Sequence, residues 1–367
     1  MNTPASVTQP ANENEHTLMR DCNFVSSFWS RLWIGLQLTM LRERGEGDLV
    51  ESTFKRLRMH QRSHFLPGLE KLGIDRNQPA AIVAAQYHYL SNILGGMEME
   101  YIEESDRKVW IRYHAPAYTW PGNALFAVPS SVQRAMFKAW HPFNGESLGN
   151  PRLGFVVTKL YQDGGPYDEG YFIEYDHVPA PEERIRFEPV LTSPDFDPRR
   201  APVLDPKKWP LKRIAMAKRK WSREMFEDVI ETTLEMYGVD RTADYLAHTA
   251  RLFALQYFDE LRRYVDVGGS KAAEFAEIFK RFGDISGEEV SVQSEKAGRT
   301  RLTRSGSLFK RKGAGIPEKI DQALFEFIKT SAMLHSPRVS VRLESVSYEG
   351  SSRAEQWIIQ DETDRLF

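Results

Sequence analysis

"PRLGFVVTKLYQDGGPYDEGYFIEYD" (151–176) and "PRVSVRLESVSYEGSSRAEQWIIQD" (337–361) decide the fold. Each opens on Pro-Arg, alternates apolar residues with period two, turns at an acid-Gly pair and returns through an aromatic-Ile segment. Period-two alternation on both sides of a turn signal predicts a β-hairpin. The same hairpin met twice predicts an internal repeat.

Working outward, the residues before the first hairpin recur at helical spacing. Leu18, Phe24, Phe28, Leu32, Leu36 and Met40 mark a helix over 17–43. A second helix runs from about 49 to a stop at Gly73, and a third from Pro79 to Gly95-Gly96. A hairpin follows over 98–114 with its turn at Ser105-Asp106, then a helix from Pro129 to Trp140. The second half repeats this order: helices over 222–237, 241–266 and 270–282, a hairpin over 290–304, a helix over 317–333, and the closing hairpin. Residues match as well as elements. A shift of 192 aligns Glu103 with Glu295, Arg107 with Arg299 and Arg112 with Arg304. A shift of 188 aligns Pro129, Ala135 and Phe137 with Pro317, Ala323 and Phe325. A shift of 186 aligns Tyr171 with Trp357 and Ile173 with Ile359. The shift changes only in loops, where insertions are tolerated.

The predicted fold class is therefore α+β: two tandem, diverged copies of a helices–hairpin–helix–hairpin unit, with helices packed on small antiparallel sheets. The expected boundaries are a disordered tail over 1–16, a first unit over 17–178, an extended Pro-rich linker over 179–205 and a second, degenerate unit over 206–367.

Composition narrows the function classes. The 367 residues are 41% hydrophobic and 27% charged, the balance of a protein with a real core. A net charge of −2 gives no electrostatic case for nucleic acid. Cys22 is the single cysteine, which excludes an internal disulfide and any Cys-based zinc or iron–sulfur site and fits a reducing compartment. The polar start shows no secretory signal, and "FWSRLWIGLQLTML" is broken by Arg31 and too short to span a bilayer. A cytoplasmic protein with no membrane partner is expected.

The order of helices, hairpin, helix, hairpin resembles the small ligand-binding α/β domain shared by 4-vinyl reductase domains, haem-nitric-oxide-binding domains and transport-particle subunits. The elements carrying the likeness are the Gly95-Gly96 stop and the Asp163-Gly164 turn. The order is also similar to the L-2-amino-thiazoline-4-carboxylate hydrolase family. Cysteines frequent in the last hairpin of 4-vinyl reductases are missing here. The resemblance implies an apolar pocket for a small molecule between helices and sheet.

Site residues concentrate in the first unit. His60, His64, His88, His114 and His141 all fall there, and the last three align with Lys280, Gly306 and Lys329. His60 and His64 are four apart, so on a helix they share one face and can ligate one metal. The intervening Gln61, Arg62 and Ser63 supply no metalloprotease Glu, and a solvated helix face explains the pair equally simply. His88 sits on an apolar helix between Tyr87 and Tyr89, as a packed core residue does and as a general base in a pocket would. In the hairpin over 98–114, Val109, Ile111 and Tyr113 share one face, and Trp110, Arg112 and His114 share the other. Arg112 is a candidate anion clamp; cross-strand ion pairing is the plainer reading, and its counterpart Arg304 favours it. Trp110, His114, Trp120 and Tyr161 are candidate pocket walls beside aromatic loops. The first sheet reads as apolar on both faces, so its second face needs a cover: the other unit, a subunit of a homodimer, or a ligand.

The expected function is a small-molecule enzyme. It would be a hydrolase or lyase acting by acid–base chemistry on a small, aromatic or otherwise apolar, carboxylate-bearing substrate. His60, His64 and His88 are the candidate bases, and Arg112 the clamp. The alternatives are a non-catalytic ligand-binding or sensor module and an assembly scaffold. A divalent metal on His60 and His64 is the one cofactor the residues suggest; nothing points to nucleotide, flavin or iron–sulfur. The basic stretches over 206–224 and 296–313 can contact phosphate but carry no phosphate-loop fingerprint, and a solvated surface accounts for them.

Overall fold

The computed structural model describes residues 12–114, 128–190, 192–296, 298–305, 317–349 and 352–362. The chain divides into two compact units, Met1–Thr232 and Thr233–Phe367. The repeat is visible in both.

The first unit opens on α1 (Glu13–Arg44), capped by the Asn12 side chain, which accepts from the Glu15 N–H at 3.0 Å. The cap places the helix start four residues before the expected one. Gly45 separates α1 from α2 (Glu46–Leu72) with φ 87° and ψ 178°, a region open to glycine alone. α3 (Ala80–Leu94) follows, and most of its residues are buried because it lies between α2 and the sheet. The five-stranded sheet has the order β1-β2-β4-β3-β5, built from β1 (Met99–Ser105), β2 (Lys108–Tyr113), β3 (Leu153–Lys159), β4 (Asp168–Glu174) and β5 (Ile185–Phe187). Helices α4 (Ser130–Trp140) and α5 (Phe143–Leu148) join β2 to β3. Val109, Ile111, Phe155 and Phe172 are fully buried on the helix-facing side, each stabilising the fold by about 1.5–3 kcal/mol.

The second unit carries the same plan. Its four-stranded sheet has the order β6-β7-β9-β8, from β6 (Glu289–Lys296), β7 (Arg299–Ser305), β8 (Val339–Glu349) and β9 (Ser352–Asp361). α7 (Ala272–Ser286) spans the same 15 positions as α3 at the shift of 192. α8 (Glu318–Leu324) and α9 (Glu326–His335) fill the place of α4 and α5. The strand pairing agrees, with Arg112 opposite Glu169 as Arg304 is opposite Glu355, but the faces are exchanged: Trp110 and Arg112 point away from the helices, whereas Leu302 and its partner Trp357 share the face on which Trp357 meets Phe325 at 4.7 Å. One alignment changes. Glu100 pairs Arg112, whereas Val290 pairs Arg304, so β6 follows β1 at a shift of 190 and Gln293, not Glu295, matches Glu103.

Three expected boundaries move. α6 runs from Leu211 to Tyr264, broken only at Gly238, where φ is 75° and ψ −180°. That glycine repeats the junction at Gly45, so the arm of α6 before it is the counterpart of α1 and the arm after it the counterpart of α2. The second copy thus begins at about 211, yet residues up to Thr232 belong to the first compact unit. There α1 lies beside its own counterpart: Ser26 and Ser222 hydroxyls meet at 2.6 Å, and the Trp29 and Phe226 rings at 5.6 Å. The stretch expected as a free linker is also part of the first unit. It contributes β5, which runs parallel to β3 and makes this sheet mixed. Its Ser193 accepts from Arg112 Nη2 at 3.0 Å and from Lys159 Nζ at 2.9 Å. The linker itself therefore lies against the second sheet face.

Candidate functional site

A cavity of about 310 Å³ opens in the first unit among α2, α3, α4 and the first arm of α6. The residue pattern explains why a space persists there. Gly68 on α2 lines it, and a Cβ at that position would meet the Tyr87 ring at 2.4 Å, so only glycine lets α2 and α3 approach with Tyr87 between them. The walls are largely aromatic and sulfur-bearing, with Tyr87, Trp140, Trp221, Met97, Met136 and Met225.

His60, His64 and His88 all line this cavity. His60 and His64 sit one turn apart with rings stacked at 4.0 Å and 17°. His60 Nδ1 contacts Asp228 Oδ2 at 2.9 Å; Asp228 comes from α6. An Asp accepting from Nδ1–H fixes the tautomer that leaves Nε2 as proton acceptor, the arrangement of a general base and its orienting carboxylate. His64 Nδ1–H donates to the His60 carbonyl at 3.1 Å. Burial, then the charge of His60, lowers the His64 pKa, so His64 is neutral at physiological pH. Among the described residues, no three His, Cys, Asp or Glu side chains are grouped to hold a metal ion.

His88 belongs to a buried chain with one direction. Asn144 Nδ2 donates to His88 Nε2 at 2.9 Å, His88 Nδ1–H to the Tyr113 hydroxyl at 3.1 Å, and Tyr113 O–H to His141 Nε2 at 2.9 Å. The His88 and His141 rings stack at 4.2 Å. Burial drives the His88 pKa well below its usual value and lowers His141 to about 3, so both are neutral links. Burial pushes Tyr113 well up, with Asp168 adding to it. Asp168 is Tyr113's cross-strand partner and accepts from the Tyr161 N–H at 3.0 Å and from Gln133 Nε2. Burial raises its pKa well above the usual carboxylate range. The His88, Tyr113 and His141 links of this wall thus offer hydrogen-bonding groups without net charge.

Arg112, Trp110 and His114 are not in this cavity. They occupy the opposite face of the sheet, as the alternation predicts, and that face turns away from the helices. Arg112 contacts Glu169 and Glu100 at 2.5 Å each, and Lys159 meets Glu169 at 2.6 Å. Burial works against the charge of Glu169, yet its pKa stays lowered because Lys159 and Arg112 both bind it. A guanidinium held by two carboxylates has no charge left for a ligand anion. His114 Nε2 pairs with Glu100 at 3.0 Å, and Trp110 Nε1 donates to Glu104 at 2.6 Å. Tyr161 lies in a short 3-10 turn (Tyr161–Asp163) and does not line the cavity. Trp120 lies outside the described residues.

The sequence reading missed Asp228, Tyr113, Asn144 and the role of His141. Tyr113 sits on the apolar side of an alternating strand, and that position is its only local signal. Asp228 lies 168 residues from His60, beyond any spacing rule.

No family model and no curated protein matches the sequence. Among solved structures, the chain is similar to a protein studied for haem redox potential and porphyrin distortion, at 10% identity and TM-score 0.29, over 39% of this chain and 73% of that one. It is similar to an oxygen-binding H-NOX domain related to soluble guanylate cyclases, at 8% identity and TM-score 0.29, over 39% and 74%. A Cs H-NOX mutant matches at 11% identity and TM-score 0.28, over 40% and 76%. At these scores the likeness is weak and carries no argument about what this chain binds. Nothing in the comparisons points to the L-2-amino-thiazoline-4-carboxylate hydrolase family.

Proposed function

We propose that the first unit binds a small, largely apolar molecule in the cavity between helices and sheet, and that His60, oriented by Asp228, acts on it as a general base. The observation that carries this reading is the 2.9 Å His60–Asp228 contact at the wall of a 310 Å³ cavity. A volume of that size fits a small organic ligand. Aromatic and thioether walls supply apolar contact, and the neutral His88–Tyr113–His141 chain supplies hydrogen bonds that fix orientation. Proton abstraction by an imidazole of this kind serves hydrolysis or a lyase-type elimination, and it needs no resident metal.

A binding or sensor module without chemistry is the second reading. His88 favours it, because both of its ring nitrogens are already bonded, to Tyr113 and to Asn144.

The test combines a neutral fluorescent probe, N-phenyl-1-naphthylamine, with mass-spectrometric profiling of a small-molecule extract incubated with the protein. The enzyme reading expects the probe to bind both the native protein and His60→Ala. It also expects a compound consumed by the native protein and spared by His60→Ala and Asp228→Asn. Probe binding with no compound consumed leaves the binding module; consumption unaffected by His60→Ala overturns the dyad.

A further inference from the structure

The cavity is long rather than round. The α2 residues lining it run from Arg56 to Leu72 along one helix face, a span of about 24 Å at 1.5 Å per residue. A volume of only 310 Å³ spread along that length is a narrow slot. Its lining includes the adaptable thioethers of Met97, Met136 and Met225, the last at the Arg56 end.

Both ends carry basic residues and differ in access: Arg56 is buried, with Nη1 on Met225 Sδ at 3.3 Å, whereas Lys71 and Lys220 are exposed. At the Leu72 end, Lys71 and Lys220 both line the opening. Lys71 lies over the Trp209 ring at 5.6 Å, and Arg213 stacks on the same ring at 4.1 Å. Among the described residues Lys71 makes no ion pair. Lys220 pairs with Glu224 at 2.9 Å, and Glu224 also lines the cavity. Three cations therefore face one carboxylate. Burial lowers the Lys71 pKa, and the neighbouring charges of Lys220 and Arg213 lower it further against Glu224. A ligand anion would relieve that repulsion. The basic stretch over 206–224 thus has a use that charge alone did not reveal: it supplies the rim of the slot.

Resting on the cavity reading above, we propose that the ligand is an elongated amphiphile, an apolar chain carrying an anionic head group held between Lys71 and Lys220. The chain lies along α2 past His64 and His60, so the reacting bond of any substrate lies within the chain and not at the head. The shared chemistry is an anionic oxygen group, carboxylate or phosphate.

The experiment compares dodecanoate, dodecyl phosphate and dodecanol, equal in chain length, by calorimetric titration below their micelle concentrations at low salt. Both anions are expected to bind about tenfold tighter than the alcohol, two partly exposed ion pairs' worth. The Lys71→Gln/Lys220→Gln double variant is expected to erase that advantage and leave dodecanol binding unchanged. Because both lysines are exposed, its melting temperature should stay within about 1 °C of the native value. The tighter of the two anions identifies the head group. Equal affinity for all three compounds, or an advantage that survives the double substitution, overturns the anionic head while dodecanol binding keeps the cavity reading intact. Failure of dodecanol and of the neutral probe alike overturns the cavity reading itself.

Discussion

Each sheet of this molecule buries an arginine–glutamate pair, and the two pairs lie on opposite faces: Arg112 away from the helices, Arg304 toward them, on the side of Val290, which Gly283 of α7 closely approaches. In the first, Arg112 on β2 is buried with Glu169 and Glu100. In the second, Arg304 on β7, its match, is buried with Glu288 at 2.5 Å, opposite Glu355 in register. His88 aligns with Lys280, which reaches to Asp284 on the helix surface. Gln133 aligns with Asp321, which lies 3.3 Å from Arg353. The helix side of the first sheet has Tyr113 bonded to His88 and His141 beside a space, where the helix side of the second has the buried pairs Arg304–Glu288 and Arg353–Asp321. Buried ion pairs brace both sheets, and the candidate site belongs to the first unit.

The strongest challenge to that division is to break the shared part in each copy. Glu169→Ala takes a carboxylate from both Arg112 and Lys159, leaving Arg112 on Glu100, and Glu288→Ala takes the bonded carboxylate from Arg304; each should cost about 3–5 kcal/mol in chemical denaturation. A cost under about 1 kcal/mol in either copy would remove that pair from the framework. The next test sharpens the unshared part. Buried, neutral His141 has a pKa of about 3, below the value near 6.5 of the unfolded chain. The unfolded state then binds more protons, so this group's stabilisation is full above pH 6.5 and is lost as pH falls toward 3. The loss should be on the order of 3 kcal/mol by pH 4, and His141→Gln should flatten that acid limb. An unchanged acid limb would mean that His141 is protonated in the folded protein. The smallest effect concerns Gly45 and Gly238. Both adopt a backbone region reserved for glycine, and a Cβ at either would meet nothing within 4 Å. Alanine at each should cost a similar amount, about 1–2 kcal/mol in melting experiments, from backbone strain alone. Unequal costs would break the equivalence of the two helix junctions.

Much of this was legible in the sequence for definite reasons. The closing hairpins are read from alternation, and α3 and α7 from apolar runs ended by glycine. His60, His64 and His88 are read as cavity candidates because histidine is rare in the second copy. The start of α6 was missed because Lys and Arg crowd 207–223 and mask the sparse apolar face of Leu211, Ile214 and Ala215, all buried. Pro210, just before its first turn, was the available signal. Alternation put Arg112 on the polar face of β2 but does not say which face meets the helices. The cover for that face is Ser193 and Pro194, which only the folded linker brings there.

The central claim is that one copy binds and the other does not. Calorimetric titration with N-phenyl-1-naphthylamine tests it most directly, on the native protein and on Ala217→Phe, whose added ring would fill the cavity at the position that Ala217 lines on α6. The account predicts one site per chain in the native protein and none in Ala217→Phe. Two sites per chain, or a single site untouched by that substitution, would contradict it.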